Sequence, residues 1–274
     1  MTTRQQHEYS TQIAEVDGPI GYLTLNRPAR LNAINDELMR EMIEALAWLD
    51  THPELRVVIL RGSGRAFSAG ADLKEIPGGP SRLESGNSWL YRRRFGQIGR
   101  RLLDTIQNMQ AVTIAQVHGA AVGGGVLLMA ACDLRVVATG TVMFIPEVDL
   151  GTHYSWGAVP LLLRELGPAI TRELIMTCRR FTAEEALAWR WINRVTAPDR
   201  LADEVTQLAQ ELVAKPSVPL AVTKDHINAI MRVMSAGTTS YADGDLAVAM
   251  VTEKEAQAAG AAYAESKVGK TRRR

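Results

Sequence analysis

Three stretches of the chain carry residue types that suit chemistry at a carbonyl group. Ser68-Ala69-Gly70-Ala71-Asp72-Leu73 and His118-Gly119-Ala120-Ala121-Val122-Gly123-Gly124-Gly125 each follow a strand-like run and precede a helix-like one. Glycine lets a backbone adopt positive φ and come close to a ligand. The helix predicted to start near Gly124 presents unpaired N–H groups and the positive end of its dipole. Such donors suit an oxygen that becomes negative during reaction. The glycine triplet serves equally for tight strand–helix packing. A phosphate cradle fits less well: there is no GK[ST] ending, and the spacing from Gly119 to Gly123 breaks the dinucleotide fingerprint. The third stretch, Pro146-Glu147-Val148-Asp149-Leu150-Gly151, holds a carboxylate able to move protons. Taken alone, Glu147 reads as a solvated loop residue or an ion-pair partner.

Other reactive side chains form no such pattern. His7, His52 and His226 fit no metal spacing, and no H-x-x-x-H or C-x-x-C motif exists, so no metal site is expected. Ser68 lacks the Gly-x-Ser-x-Gly context of a nucleophile. His118, at a strand end, reads as a histidine bonded to backbone. Cys132 and Cys178 lie in apolar stretches and read as buried thiols in a reducing compartment.

The elements that must position these residues follow from hydrophobic spacing. Ile20 to Leu25 reads as a strand, interrupted by Asn26-Arg27-Pro28. Asn35 is placed to cap a helix on which Leu38, Met42, Ala45, Leu46 and Leu49 recur at helical spacing. Val57 to Leu60 is a continuous apolar run, as in a strand covered on both faces. Residues 76 to 90, rich in Gly, Pro and Ser, read as a mobile loop. A helix through about Asn108, a strand from Val112 to Val117 and another from Leu134 to Ala138 follow. From Pro160 onward the pattern is mainly helical, with Pro198, Pro216 and Pro219 as breaks. Lys267 to Arg274 reads as a frayed basic tail. Strands alternating with helices, then a helical third, indicate an α/β core with a helical appendage. The division falls between residues 1–200 and 201–274.

Composition sets the remaining bounds. Across 274 residues the hydrophobic fraction is 46% and the charged fraction 22%, ordinary for a soluble protein. A formal net charge of +1 gives no field to gather nucleic acid or an acidic membrane. No run approaches the roughly 18–20 apolar residues that span a bilayer, and Met1 to Ser10 has no apolar segment like that of a signal peptide. The expectation is a cytoplasmic protein with neither a nucleic-acid nor a membrane partner.

In combination the segments are far more specific than singly. Asn26-Arg27-Pro28 with Leu31-Asn32-Ala33, Ala66-Phe67 leading into the Ser68–Leu73 turn, His118-Gly119 with the glycine triplet, Cys132-Asp133-Leu134-Arg135 and the Pro146–Gly151 segment occur in one order. That series, over roughly residues 10 to 235, resembles the enoyl-CoA hydratase/isomerase, or crotonase, superfamily. The resemblance implies a spiral of ββα units, C-terminal helices that mediate trimer formation, and a homotrimer or dimer of trimers. It implies an acyl-CoA thioester as substrate, with coenzyme A as part of that substrate and no separate cofactor. It assigns an oxyanion hole to the backbone amides of Ala71 and Gly124, and the catalytic carboxylate to Glu147. Acyl-CoA contacts carry over to Arg30, Ala33, Ala69, Asp72, Leu73 and Lys74, with Arg30 and Lys74 toward the phosphates and adenine. Arg92-Arg93-Arg94 and Arg100-Arg101 form a basic helix that touches those phosphates, a neighbouring subunit or nothing. Relatives that bind RNA use a lysine-rich first helix; residues 36 to 50 here are acidic.

One departure from the family's pattern matters chemically. Its hydratases place a second glutamate two residues after the triplet, where this chain has Leu127. Adding water to a double bond needs both activation of the water and delivery of a proton to carbon. Moving a double bond from the 3- to the 2-position needs one base, which takes a proton from C2 and returns it at C4. A single carboxylate among apolar residues is what the family's 3,2-enoyl-CoA isomerases show. Dienoyl-CoA isomerases add aspartates at the Leu127 position and near Ser155, both absent here. Thr152-His153-Tyr154-Ser155-Trp156 replaces a small, glycine-rich segment; His153 and Tyr154 either supply an acid or, with Trp156, shape the acyl pocket. The expectation is a single-glutamate isomerase. Its rivals are a hydratase with an unusual second group and a degraded CoA-binding scaffold.

Overall fold

Strand β3 (Ile20–Leu25) is where the sheet changes character: β1 (Gln5–Glu8), β2 (Gln12–Asp17) and β3 form an antiparallel meander, and everything beyond runs parallel. The computed structural model describes residues 4–73, 96–234, 242–250 and 253–271. Among these, one seven-stranded sheet has the order β1-β2-β3-β4-β5-β7-β9, with β4 (Val57–Gly62), β5 (Val112–Val117), β7 (Leu134–Ala138) and β9 (Arg194–Thr196). Parallel neighbours need a crossover to return the chain; those from β5 to β7 and from β7 to β9 each carry a second short strand and then a helix, and the two before them carry isolated bridges in its place.

The second layer is slight but continuous. β6 (Ala120–Val122) pairs in parallel with β8 (Val142–Phe144), while single bridges join Ile34 to Ala71, Ser68 to Ala121 and Met143 to Phe181. Each turn of the chain therefore runs from a main-sheet strand to a second-layer segment to a helix. The helices are α1 (Asp36–Asp50) after β3, α2 (Ile98–Gln107) after β4, α3 (Gly124–Ala131) after β5 and β6, and α4 (Ala158–Thr177) after β7 and β8. This is the expected spiral of ββα units.

The apolar run of β4 explains itself in this setting. Val58 and Leu60 face a core shared with α1, α2 and α3, whereas Val57 and Ile59 face a second core. Strand side chains alternate between faces, so a sheet covered on both sides reads as continuous hydrophobicity. That second core is closed by α6 (Leu201–Val213), after α5 (Ala183–Ala188), through Leu201, Val205, Leu208 and Ala209. The expected division at residue 200 thus falls ahead of a helix that shares the sheet's core. Then come α7 (Ser217–Met234), α8 (Asp243–Met250) and α9 (Lys254–Thr271), and α9 reaches into the segment expected to fray.

Local signals act mostly as read. Asn35 accepts from Leu38 N–H at 3.0 Å and caps α1. Pro219, expected as a break, lies inside α7 at its third residue, where its missing N–H has no intrahelical acceptor to lose. The Arg135 of the Cys132–Arg135 segment is buried and structural. It donates to the carbonyls of Trp191 (2.7 Å) and Cys132 (2.8 Å) and to Glu165 (3.1 Å), tying α4 to β7. No helix among the described residues is long and apolar enough to cross a membrane.

Candidate active site

The two glycine-bearing turns meet. Ile34 N–H donates to Gly70 carbonyl (2.7 Å) and Asp72 N–H to Ile34 carbonyl (2.9 Å). In a parallel bridge of this kind the central residue, Ala71, turns its own N–H away from Ile34. Gly70 (φ 83°) lies so close to the other turn that a Cβ there would be 2.5 Å from Val122 carbonyl oxygen. Ser68 bridges both sides: it exchanges backbone bonds with Ala120 and Val122, and its Oγ donates to Asn32 carbonyl at 2.8 Å.

On the second turn, Gly123 adopts φ 47° and ψ −112°, a conformation closed to residues with a Cβ. Its carbonyl accepts from Leu127 N–H (3.2 Å) and from the buried Tyr154 hydroxyl (2.8 Å). The turn ends in the first amide of α3, Gly124, whose N–H lies in the helix's first turn and so has no intrahelical acceptor. Ala71 and Gly124, whose amides have no acceptor among the described residues, thus belong to adjoining turns.

Glu147 closes the arrangement. A Cβ on Gly123 would sit 2.5 Å from its Oε1, so the carboxylate rests directly on that glycine. The residue as a whole keeps some exposure, yet its Oε2 is enclosed and has no hydrogen-bond partner. Buried Glu15 and Asp72, in contrast, pair with Arg61 (3.2 Å) and Arg27 (3.1 Å). Burial without a countercharge pushes the Glu147 carboxyl up to about 8, against an ordinary value near 4.5. Leu127, one turn into α3, is 1% exposed and contributes only hydrocarbon.

The remaining predicted residues separate into groups. Arg30 lies exposed on a 3-10 turn, and the neighbouring Leu31 carbonyl accepts from Ala69 N–H at 2.9 Å. Ala33 is buried beside it, and Leu73 is 42% exposed. Asp72 holds Arg27, so its charge is committed within the protein. Lys74, the 76–90 loop and Arg92 to Arg94 lie outside the described residues. His118 Nε2 donates to Gly64 carbonyl (2.9 Å), as expected of a backbone-bonded ring. Cys132 is buried, its thiol pushed up to about 12.

His153 turns toward the C-terminal helices: its Nδ1 is 3.3 Å from Met250 Sδ, and its Nε2 is 4.0 Å from Asp243 Oδ1. Burial lowers its pKa, opposed by Asp243. Tyr154 is 2% exposed, and burial, reinforced by Glu147, raises its hydroxyl well above the ordinary range. Trp156 (φ 65°) lays its indole over Gly124, where an added Cβ would be 3.0 Å from Cζ3.

Two neighbours of the site gave no sequence signal. Gly99 of α2 touches the Trp156 indole. Tyr263 of α9 has its pKa raised by burial, then by Asp149 and Glu147. α9 reaches that position because Gly151 accommodates Ala256: a Cβ there would lie 2.5 Å from the Ala256 carbonyl oxygen. Neither an isolated glycine in a basic helix nor a tyrosine among alanines announces a site from sequence alone.

The chain as a whole is similar to known proteins. The family model described as enoyl-CoA hydratase/isomerase matches residues 15–270. The chain is 39% identical over 210 residues to carnitinyl-CoA dehydratase of Salmonella enteritidis, covering 76% of this chain and 77% of that one. It is 37% identical over 222 residues to a probable enoyl-CoA hydratase of Rhizobium meliloti, covering 80% and 82%. Among solved structures, an enoyl-CoA hydratase/carnithine racemase of Magnetospirillum magneticum superposes with a TM-score of 0.75 at 28% identity, covering 98% and 95%.

Proposed function

The chain belongs to the enoyl-CoA hydratase/isomerase family of enzymes that act on acyl-CoA thioesters, and from that premise we propose a single-glutamate 3,2-enoyl-CoA isomerase. The thioester carbonyl oxygen is held by the amides of Ala71 and Gly124. Glu147 removes a proton from C2, the negative charge spreads onto that oxygen as a dienolate, and the protonated Glu147 returns the proton at C4. The observation that carries this reading is the Glu147 carboxylate: enclosed, unpaired at Oε2, and raised to about 8, with Leu127 where hydratases of the family keep a second glutamate. A carboxylate of higher pKa is a better base toward a weakly acidic carbon. Removing one donor from an oxyanion hole costs about 2.7–4 kcal/mol in other enzymes.

Hydration is the second reading, favoured by the names of the relatives. It requires a second acid or base. Tyr154 already donates to Gly123, and His153 faces Met250 and Asp243. Both arrangements weigh against it.

Absorbance of the conjugated thioester separates the readings. Supplied with a 3-enoyl-CoA, the protein should gain 2-enoyl product; supplied with a 2-enoyl-CoA, it should leave conjugation intact. Loss of conjugation from the 2-enoyl substrate would transfer the assignment to hydration. Glu147→Gln should lower turnover about a hundred- to ten-thousandfold, and a fully active variant would sink the mechanism.

The assembly proposed with this activity is a homotrimer or dimer of trimers, supported by the apolar outer face of α7, where Val218, Ile227, Ile230 and Val233 are more than half exposed.

A further inference from the structure

We propose that Trp156 is the specificity-determining residue that ends the acyl cleft, restricting this enzyme to short-chain acyl-CoA thioesters. The inference rests on the assignment of Glu147, Ala71 and Gly124 above and adds the substrate class. Glu147 Oε1 rests on Gly123, and the Trp156 indole rests on the next residue, Gly124. A thioester whose oxygen meets Gly124 N–H and whose C2 meets Glu147 therefore runs its acyl tail against that indole.

Among the described residues, α2 backs the indole directly. An added Cβ on Gly99 would lie 2.2 Å from its Cδ2 and 2.3 Å from its Cε2, so the ring occupies the notch that the missing side chain leaves in α2. Ile34 Cδ1 and Trp156 Cζ3 both come to 3.0 Å of a Cβ on Gly124, so these side chains close over the same point.

The backbone also holds the ring. Trp156 sits at φ 65°, a conformation bulky residues adopt only when surroundings impose it. Those surroundings are visible on each side. Two residues earlier, Tyr154 donates to Gly123 carbonyl at 2.8 Å. One residue later, Gly157 N–H donates to Asp243 Oδ2 at 2.7 Å. Swinging the indole aside for a long chain requires giving up these bonds or the Gly99 notch.

A ladder of saturated thioesters tests the wall without relying on turnover. Affinities of butyryl-, octanoyl- and lauroyl-CoA are measured by calorimetry for wild type, Trp156→Ala and Trp156→Phe, each checked for folding by circular dichroism. Wild type should bind the short ligand in preference to lauroyl-CoA. Trp156→Ala should reverse the order, improving lauroyl-CoA relative to butyryl-CoA by at least about tenfold, the scale on which pockets sense added methylenes; Trp156→Phe should fall between. Wild type that favours lauroyl-CoA, or an unchanged ladder in folded Trp156→Ala, overturns the proposal. Should Trp156→Ala not fold, the wild-type and Trp156→Phe ladders decide. Absence of isomerase turnover with a normal ladder would count against the Glu147 mechanism alone and support the wall.

Discussion

At the scale of single residues, Glu147 links activity to stability in opposite senses. Its carboxyl ionises near 8 in the fold and near 4.5 in the unfolded chain. A base must be ionised to accept a proton, so kcat/KM should rise with pH and level off above about 8. Between those two values the folded state binds a proton that the unfolded state has lost, and stability therefore declines as pH rises through that window. Glu147→Gln carries no charge to bury, so it should melt higher than wild type at pH 9 and nearly level with it at pH 4, though inactive. A melting series that shows no pH-dependent gap would remove the enclosed charge from the account. Tyr154→Phe probes the neighbouring bond: Gly123 carbonyl keeps only Leu127 N–H, so stability should fall by about 1 kcal/mol. The looser turn should lower kcat more than it raises KM; an unchanged kcat would reduce Tyr154 to a packing residue. Motif order alone singles out Glu147, Ala71 and Gly124 as candidates, and the structure brings their segments together. The geometry of His153 was not legible in the sequence, since its partners Asp243 and Met250 lie about ninety residues downstream.

At the scale of elements, β3, β4, β5, β7 and α1 follow from hydrophobic period and capping, whereas β9, of three residues, and the second layer do not. β6 and β8 have three residues each, and its other links are single bridges. Such segments are too short for a two-residue alternation to register. The ββα repeat is consequently one of path and carries no repeated sequence. β2 escaped for another reason: Glu15 is buried there through pairing with Arg61, which breaks the alternation; β1 is polar and exposed throughout, so it has no alternation to show. The contact between α2 and the Trp156 segment is equally silent in sequence, yet it gives a sharp energetic prediction. Gly99→Ala forces a methyl into the indole and should destabilise by about 1–3 kcal/mol, the usual cost of overpacking. In a Trp156→Ala background the obstacle is gone, and the same substitution should be neutral or slightly stabilising, alanine being the better helix former. A denaturant-melt double-mutant cycle reads this directly. Additive penalties would show that Gly99 does not serve as the notch.

At the scale of the molecule, α7 is built inside out for the surface of a monomer. Its inward face is polar: Lys224 Nζ reaches Asp133 and Ala111 carbonyl, each at 2.7 Å, and Asn228 Nδ2 donates to Gln107 carbonyl at 2.9 Å. Its outward face carries Val218 (70% exposed), Ile230 (65%) and Val233 (74%), flanked by Val222 and Ile227. Periodicity tells where such a stripe lies and not what covers it; the expectation that the C-terminal helices mediate trimer formation comes from the family resemblance. A contiguous apolar surface of this kind marks an association site. Full burial of each such side chain contributes about 1.5–3 kcal/mol, so a symmetric assembly that covers the stripe in every subunit has a strong drive. Analytical ultracentrifugation at micromolar concentration should accordingly show a trimer or hexamer. Ile230→Glu with Val233→Glu should shift the mass toward monomer, because each interface would then have to desolvate two new charges. Lys224→Met should behave differently, lowering the melting temperature through the unpaired Asp133 while the outer face stays intact. A wild-type monomer, or a double variant of unchanged mass, would leave the stripe without the partner assigned to it.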